Sequence, residues 1–396
     1  MAASTVRVEA VIRTVAATAE SVPDTQTVTI APSTPTMTDD TLPVAPPTKA
    51  LAPIALRFTG SGSEYFRIWI VNLALTFVTF GIYSAWAKVR RLQYFYRNTQ
   101  LDGSGFDYHG SPIAILKGRL MAFGMFAAYN FLKGWDSTAA LVMAVVIGAV
   151  LPWLLVRSLA FRMRNSSWRA LRFRFNGDVA GGYKVFLLWP IVSVLTLGLL
   201  APAAYHALKS YQHGNTAFGT APFTFSATVR DFYRLCLRTA ILFGGIPLAL
   251  LLLAGVNGVL SRSAVPAMSD LASMGFWLLL EVGVFALYFA LLLAMPYFLT
   301  RSQNLIWNHT ALGPHRFECR LRVRTVLWLY VSNFFLTVVT LGLFRPFAVV
   351  RMARYRAESM TLVPGESLDQ FVGTQSRDVA ALGEELSEFL DIDIAL

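Results

Sequence analysis

Thr76-Phe77-Val78-Thr79-Phe80-Gly81 closes an apolar run that begins at Phe66, and its pattern of hydroxyls and glycine returns twice. Ser193, Thr196 and Gly198 lie 117 residues on, and Thr337, Thr340 and Gly342 a further 144. The alignment needs no gaps: Ala85, Pro202 and Pro346 stay in register, as do Tyr94, Tyr211 and Tyr355. At the first offset, Arg57-Phe58-Thr59-Gly60 also matches Arg174-Phe175-Asn176-Gly177, and Asn98-Thr99 matches Asn215-Thr216. Agreement at so many positions marks an internal duplication with a partial third copy. T-x-x-T-x-G sets two hydroxyls three residues apart on one helix face and follows them with a glycine. A helix break inside a membrane needs those residues, because freed backbone groups require partners and the chain has to bend.

The composition puts that break in lipid. Apolar residues make up 55% of the 396, charged residues 14%, and mean hydropathy is +0.52, where a soluble domain carries about 25% charge. Thr239–Leu260 and Thr138–Val156 are uncharged over 22 and 19 residues, close to the roughly 20 that span hydrocarbon. Met274–Leu299 is interrupted only by Glu281, and Leu120–Leu132 pairs with Thr138–Val156 across a short loop. These read as four crossings in two hairpins.

The repeated segments Phe66–Trp86, Val185–Tyr205 and Val326–Phe347 are expected to enter the membrane and return to the same face. On that topology residues 57–356 place 28 Lys and Arg inside and 2 outside; seven full crossings divide the basic residues 19 to 15. The positive-inside rule favours the first arrangement and leaves the second as its alternative. After the first break, Trp86, Lys88, Arg90 and Arg91 begin a basic amphipathic stretch suited to the interface, where cations contact anionic headgroups. Phe106 and Tyr108, Phe173 and Phe175, and Phe223 and Phe225 alternate between turn residues as in small β-hairpins. The expected fold is therefore an all-α polytopic membrane protein with re-entrant or broken helices in internal repeats and short cytoplasmic β-hairpins.

Its organisation reads as a disordered N-terminal extension (1–55), repeat 1 (56–173), repeat 2 (174–315), a partial repeat 3 (316–362) and an acidic tail (363–396). The extension is rich in Thr, Ala, Pro and Ser, without an apolar stripe or a signal peptide. The tail holds eight acids from residue 364 onward against Arg377 alone, and its apolar residues recur at helical spacing.

The stretches FTGSGSEYFRIWIVNLALT (58–76), TFGIYSAWAKVRRLQYFYRNT (79–99) and EFLDIDIAL (388–396) resemble the YjgN-like family of bacterial inner-membrane proteins. The similarity covers roughly residues 56–396. It implies a multi-pass inner-membrane protein with a cytoplasmic C-terminus and supplies no activity or catalytic residues.

Candidate functional residues follow from position. Thr76, Thr79, Ser193, Thr196, Thr337 and Thr340 would line a polar pathway if the breaks converge, and the alternative is that they bond back to helix carbonyls. Gly81, Gly198 and Gly342 are the expected break points. Asn72 and Asn333, equivalent in two copies, suit helix–helix contacts. Glu281 is an acid inside an apolar run, a functional position by default, though its long helix leaves room to set it near the outer interface. Two cysteines and five scattered histidines form no metal motif, no phosphate or dinucleotide loop is present, and no cofactor is expected. The net charge of +11 is accounted for by basic loops rather than nucleic acid. These features suggest a non-enzymatic protein that moves a small solute, ion or lipid-like substrate. The alternative is a non-transporting membrane scaffold that recruits a cytoplasmic partner through its acidic C-terminal helix.

Overall fold

The computed structural model describes residues 51–263 and 266–394. The expected extension over 1–50 lies outside them. The chain alternates helix pairs with strand pairs. Strands β1 (Ile54–Ala55) and β2 (Arg57–Phe58) lead to helices α1 (Gly62–Val78) and α2 (Ser84–Asn98). Strands β3 (Thr99–Leu101) and β4 (Ser104–Tyr108) precede α3 (Pro112–Trp135) and α4 (Ser137–Arg164). Next come β5 (Ser166–Trp168), β6 (Leu171–Phe175), α5 (Val179–Leu195) and α6 (Ala201–Gly214). Strands β7 (Thr216–Phe218) and β8 (Ala221–Phe225) lead into α7 (Val229–Ser263) and α8 (Pro266–Asn308). The chain finishes with β9 (Thr310–Leu312), β10 (His315–Cys319), α9 (Val323–Val339), α10 (Arg345–Glu358), β11 (Met360–Val363) and α11 (Leu368–Ile394).

The expectation of an all-α fold with isolated hairpins is overturned. The described strands form one eleven-stranded antiparallel sheet, ordered β1-β11-β10-β9-β8-β7-β6-β5-β4-β3-β2. Its two ends meet, because β1 and β2 are stretches of a single segment: Ile54 and Ala55 pair with β11, while Arg57 and Phe58 pair with β3. The sheet is thus a nearly closed barrel. Its strands are gathered from hairpins separated by whole helix pairs, so no local window of sequence displays the pairing of one hairpin with the next. The physical reason for closure is edge satisfaction: an isolated hairpin leaves unpaired donors and acceptors on both sides, and here each neighbour supplies them. The segment read as an extension to residue 55 accordingly ends inside the barrel.

Four hairpins are continuous, and the fifth combines β11 with β1–β2 from opposite ends of the chain. Positive φ at Asp102 and Gly103, at Arg169 and Ala170, at Gly219 and at Gly313 gives the tight turns that match strand twist. Equivalent positions build two layers inside the barrel. Leu101, Trp168, Phe218, Leu312 and Leu362 form the layer near the turns, and Phe106, Phe173, Phe223, Phe317 and Leu56 the next. Ring centroids in the second layer follow one another at 6.5, 6.4 and 6.1 Å from Phe106 to Phe317, spacing suited to aromatic contact. Phe371 of α11 stacks on Phe218 and closes the turn end of the barrel.

All helix pairs leave from the opposite end. Helices α1, α5 and α9 are 17 residues each, about 25 Å at 1.5 Å per residue. The spans Ser137–Arg164, Val229–Val259 and Ser273–Asn308, of 28, 31 and 36 residues, are long and apolar enough to cross a membrane. Three such spans occur among the described residues where four crossings are expected from the sequence: the 24-residue α3 carries Lys117, Arg119 and Lys133. It still pairs with α4 across Asp136, whose side chain caps α4 by accepting from the Thr138 amide.

Candidate functional site: a basic groove between the first and third broken helix pairs

The three broken pairs α1–α2, α5–α6 and α9–α10 share one construction. Each outgoing helix ends at the second threonine of the motif, and the amide of Gly81, Gly198 or Gly342 donates to the carbonyl of Thr76, Ser193 or Thr337 at 2.7–2.8 Å. The residue before each glycine also has positive φ, near 50°. The hydroxyls serve the break itself. Thr79 Oγ1 donates to the Leu75 carbonyl at 2.7 Å and accepts from the Tyr83 amide at 2.9 Å. Thr340 repeats both contacts with Leu336 and Phe344, and Thr196 does so with Val192 and Leu200. Thr76, Ser193 and Thr337 donate to the carbonyls of Asn72, Trp189 and Asn333. Back-bonding of this kind satisfies groups that lipid cannot.

The register tyrosines fasten the other end of each pair. Tyr94 and Tyr211 hydroxyls donate to the N-cap carbonyls of Ser61 and Asp178 at 2.8 and 2.7 Å, and Tyr355 accepts from the Arg322 amide at 2.8 Å. Both ends of every broken pair are thereby held at the barrel. The tips carry bare apolar side chains: Phe80, Leu197 and Leu341 are 99%, 94% and 93% exposed.

Barrel closure sets the first and third pairs side by side. Phe66 and Phe347 ring centroids are 5.7 Å apart, and Arg354 donates to the Gly60 carbonyl at 2.8 Å. Two adjoining cavities open along this seam. One, of about 470 Å³, is lined by Asn72, Thr76 and Ser84 together with Lys88, Arg91, Arg119 and Arg345. The other, of about 590 Å³, shares Arg91 and Arg345 and adds Asn333, Thr337 and Arg356. Among the described residues, no aspartate or glutamate lines either cavity.

The structure therefore brings Thr76, Thr337, Lys88 and Arg91 into one groove. Ser193, Thr196, Thr79 and Thr340 line neither cavity, and Glu281 is exposed on α8. Arg90 faces away, its guanidinium 5.8 Å from the Tyr83 ring, which in turn stacks with Trp86. Arg119 and Arg345 complete the cationic lining and were not singled out by sequence, because they belong to α3 and to the start of α10, remote in the chain from the first break. No group of three or more metal-ligating side chains occurs among the described residues.

A nearly closed barrel carrying long apolar helices on one end, with paired helix breaks around a basic groove, defines a multi-pass membrane protein. The chain belongs to the family described as "Bacterial protein of unknown function (DUF898)", which it matches over residues 53–389. It is similar to "Inner membrane protein YjgN" of Salmonella typhimurium (strain LT2), 24% identical, with 78% of this chain and 88% of the relative covered. The protein of the same name from Escherichia coli K12 is 23% identical, covering 77% and 87%. These relatives, together with the three long apolar helices, support a multi-pass inner-membrane location. No solved structure matches the chain.

Proposed function

We propose that this inner-membrane protein is non-enzymatic and moves a lipid-like molecule along the groove between its first and third broken pairs. The observation that carries this reading is the union of two surfaces: a groove shared by α1, α2, α9 and α10, whose cations, hydroxyls and amides are set in apolar walls, and exposed apolar tips beyond it. A molecule with a polar head and an apolar tail matches both, and broken helices in repeats are a recurrent feature of transporters. On this reading the barrel faces the cytoplasm, which places 28 of the 30 basic residues of 57–356 on the inner side.

The test is translocation of a fluorescent phospholipid in proteoliposomes, with dithionite quenching the outer leaflet. Protein-containing vesicles should lose nearly all fluorescence, and Thr76→Val with Thr337→Val should slow the loss. Quenching that stops near one half, as in protein-free vesicles, would contradict the reading.

A second reading, that of a scaffold, rests on α11. Its first turns are docked through Leu368, Phe371 and Gln375, while residues 376–381 are exposed. Truncation after residue 381 should then release a co-purifying acidic-helix partner without altering translocation.

A further inference from the structure

The cations of the groove lack an anion. Lys88, Arg91, Arg119 and Arg345 come from α2, α3 and α10, yet none takes part in an ion pair among the described residues. Bringing four like charges to one cavity is unfavourable unless solvent or a counter-charge offsets it. The fold does not require them. At the corresponding positions of the middle copy, Tyr205, Leu208 and Ala201 replace Lys88, Arg91 and Arg345, and that copy forms the same break and return.

A second, independent observation lies beside them. Asn72 and Arg90 recur in the third copy as Asn333 and Arg351, with the same separation. In that copy Arg351 donates to Asn333 Oδ1 at 2.9 Å. In the first copy Arg90 has turned to Tyr83, and the Asn72 side-chain carbonyl, in a residue only 7% exposed, has no partner. A buried amide oxygen left unpaired is unfavourable, and this one borders the cavity that holds the cations. Both amides border the groove cations, but Asn333 already accepts from Arg351, whereas the Asn72 oxygen is free.

We infer that the groove beside Asn72 is a binding site for a phosphate-bearing anion, its phosphate oxygens held by Arg91, Arg119 and Arg345 and its neighbouring hydroxyl or amine donating to Asn72. Guanidinium groups match phosphate geometry through paired N–H donors. Such a ligand has two chemical sources: the headgroup of an anionic phospholipid or a soluble phosphate ester. The inference deepens the reading above by naming the polar head, and binding can be lost while translocation of a neutral-headed lipid persists.

The test uses the full chain in phosphatidylcholine nanodiscs, with increasing phosphatidylglycerol in one arm and glycerol 3-phosphate in the other, bound ligand being counted by native mass spectrometry. Wild-type protein should retain one of the two ligands, and Arg91→Gln with Arg345→Gln should weaken retention by at least tenfold. Because Arg345 opens α10, Arg119→Gln provides a separate variant outside the break, with a weakening of several-fold expected. Arg90→Gln, on the opposite face, should retain ligand as wild type does. Retention of phosphatidylglycerol alone assigns the site to a lipid headgroup, and retention of glycerol 3-phosphate alone to a soluble ester. Retention of neither ligand, or retention unchanged in both groove variants, overturns the inference.

Discussion

Gln375 accepts hydrogen bonds from both the amide and the hydroxyl of Thr220, 155 residues earlier in the chain, at 2.8 and 2.7 Å. A third bond comes from the Ala221 amide at 2.8 Å. One side-chain oxygen thus closes the turn between β7 and β8, and with Phe371 it fastens α11 across the end of the barrel. Gln375→Ala would leave those donors without their acceptor and should loosen α11 by about 1–3 kcal/mol. Hydrogen exchange should then speed up over Leu368–Arg377 and stay unchanged in the strands.

The break glycines make a sharper test of local chemistry. Gly81 has φ +90°, and a Cβ built there meets no atom within 4 Å. Gly81→Ala is therefore a pure backbone penalty, expected at about 1–2 kcal/mol. Gly118 of α3 is equally open but has ordinary helical geometry, so Gly118→Ala should be neutral or slightly stabilising. Thermal unfolding of the two variants side by side decides the matter.

Acid should weaken the barrel cap. His315 is 1% exposed, its ring 4.5 Å from that of Phe371, and Nδ1 accepts from the Gly365 amide while Nε2 lacks a partner. Desolvation holds its pKa below the ordinary histidine value, against a smaller opposing pull from Glu366. His213, at the barrel end of α6, is pushed down to about 4 by desolvation and by Lys209. Both are neutral in the folded protein at pH 7. Below the unfolded pKa of about 6.5 the unfolded chain binds protons that the folded chain resists, so stability falls with pH from there toward about 4. Thermal unfolding from pH 7.5 to 4.5 should show this decline, and His315→Gln should flatten it partly, leaving the His213 share.

Surface ion pairs should matter little by contrast. Arg169 bonds Asp369 and Asp102 at 2.7 Å, but the Asp369 side chain is 87% exposed. Asp369→Asn should change stability by no more than about 1 kcal/mol, since solvent screens such pairs.

The helix breaks were legible in the sequence because hydroxyl, glycine and tyrosine recur at fixed offsets. The barrel was not, because its pairings join residues separated by entire helix pairs, such as Phe175 with Thr216 and Phe106 with Trp168. A local signal did exist. Asn98-Thr99 and Asn215-Thr216 have counterparts in Asn165-Ser166 and His309-Thr310. In all four the hydroxyl donates to the carbonyl four residues back, just before the strand begins. The crossing pairs therefore end in the same hairpins as the broken ones. The groove was half visible: Lys88 and Arg91 stand next to a break, whereas Arg119 and Arg345 join them only through barrel closure.

Each broken pair returns to the barrel it left. Single cysteines placed in a Cys-free background at Arg57 and Arg97, at Asn176 and Gly214, and at Arg320 and Glu358 flank the three pairs, all at exposed positions. A membrane-impermeant thiol reagent should reach all six from one face only, and a cysteine at Ser137, the first residue of α4, from the other. Labelling of the two members of any flanking pair from opposite faces would contradict that return.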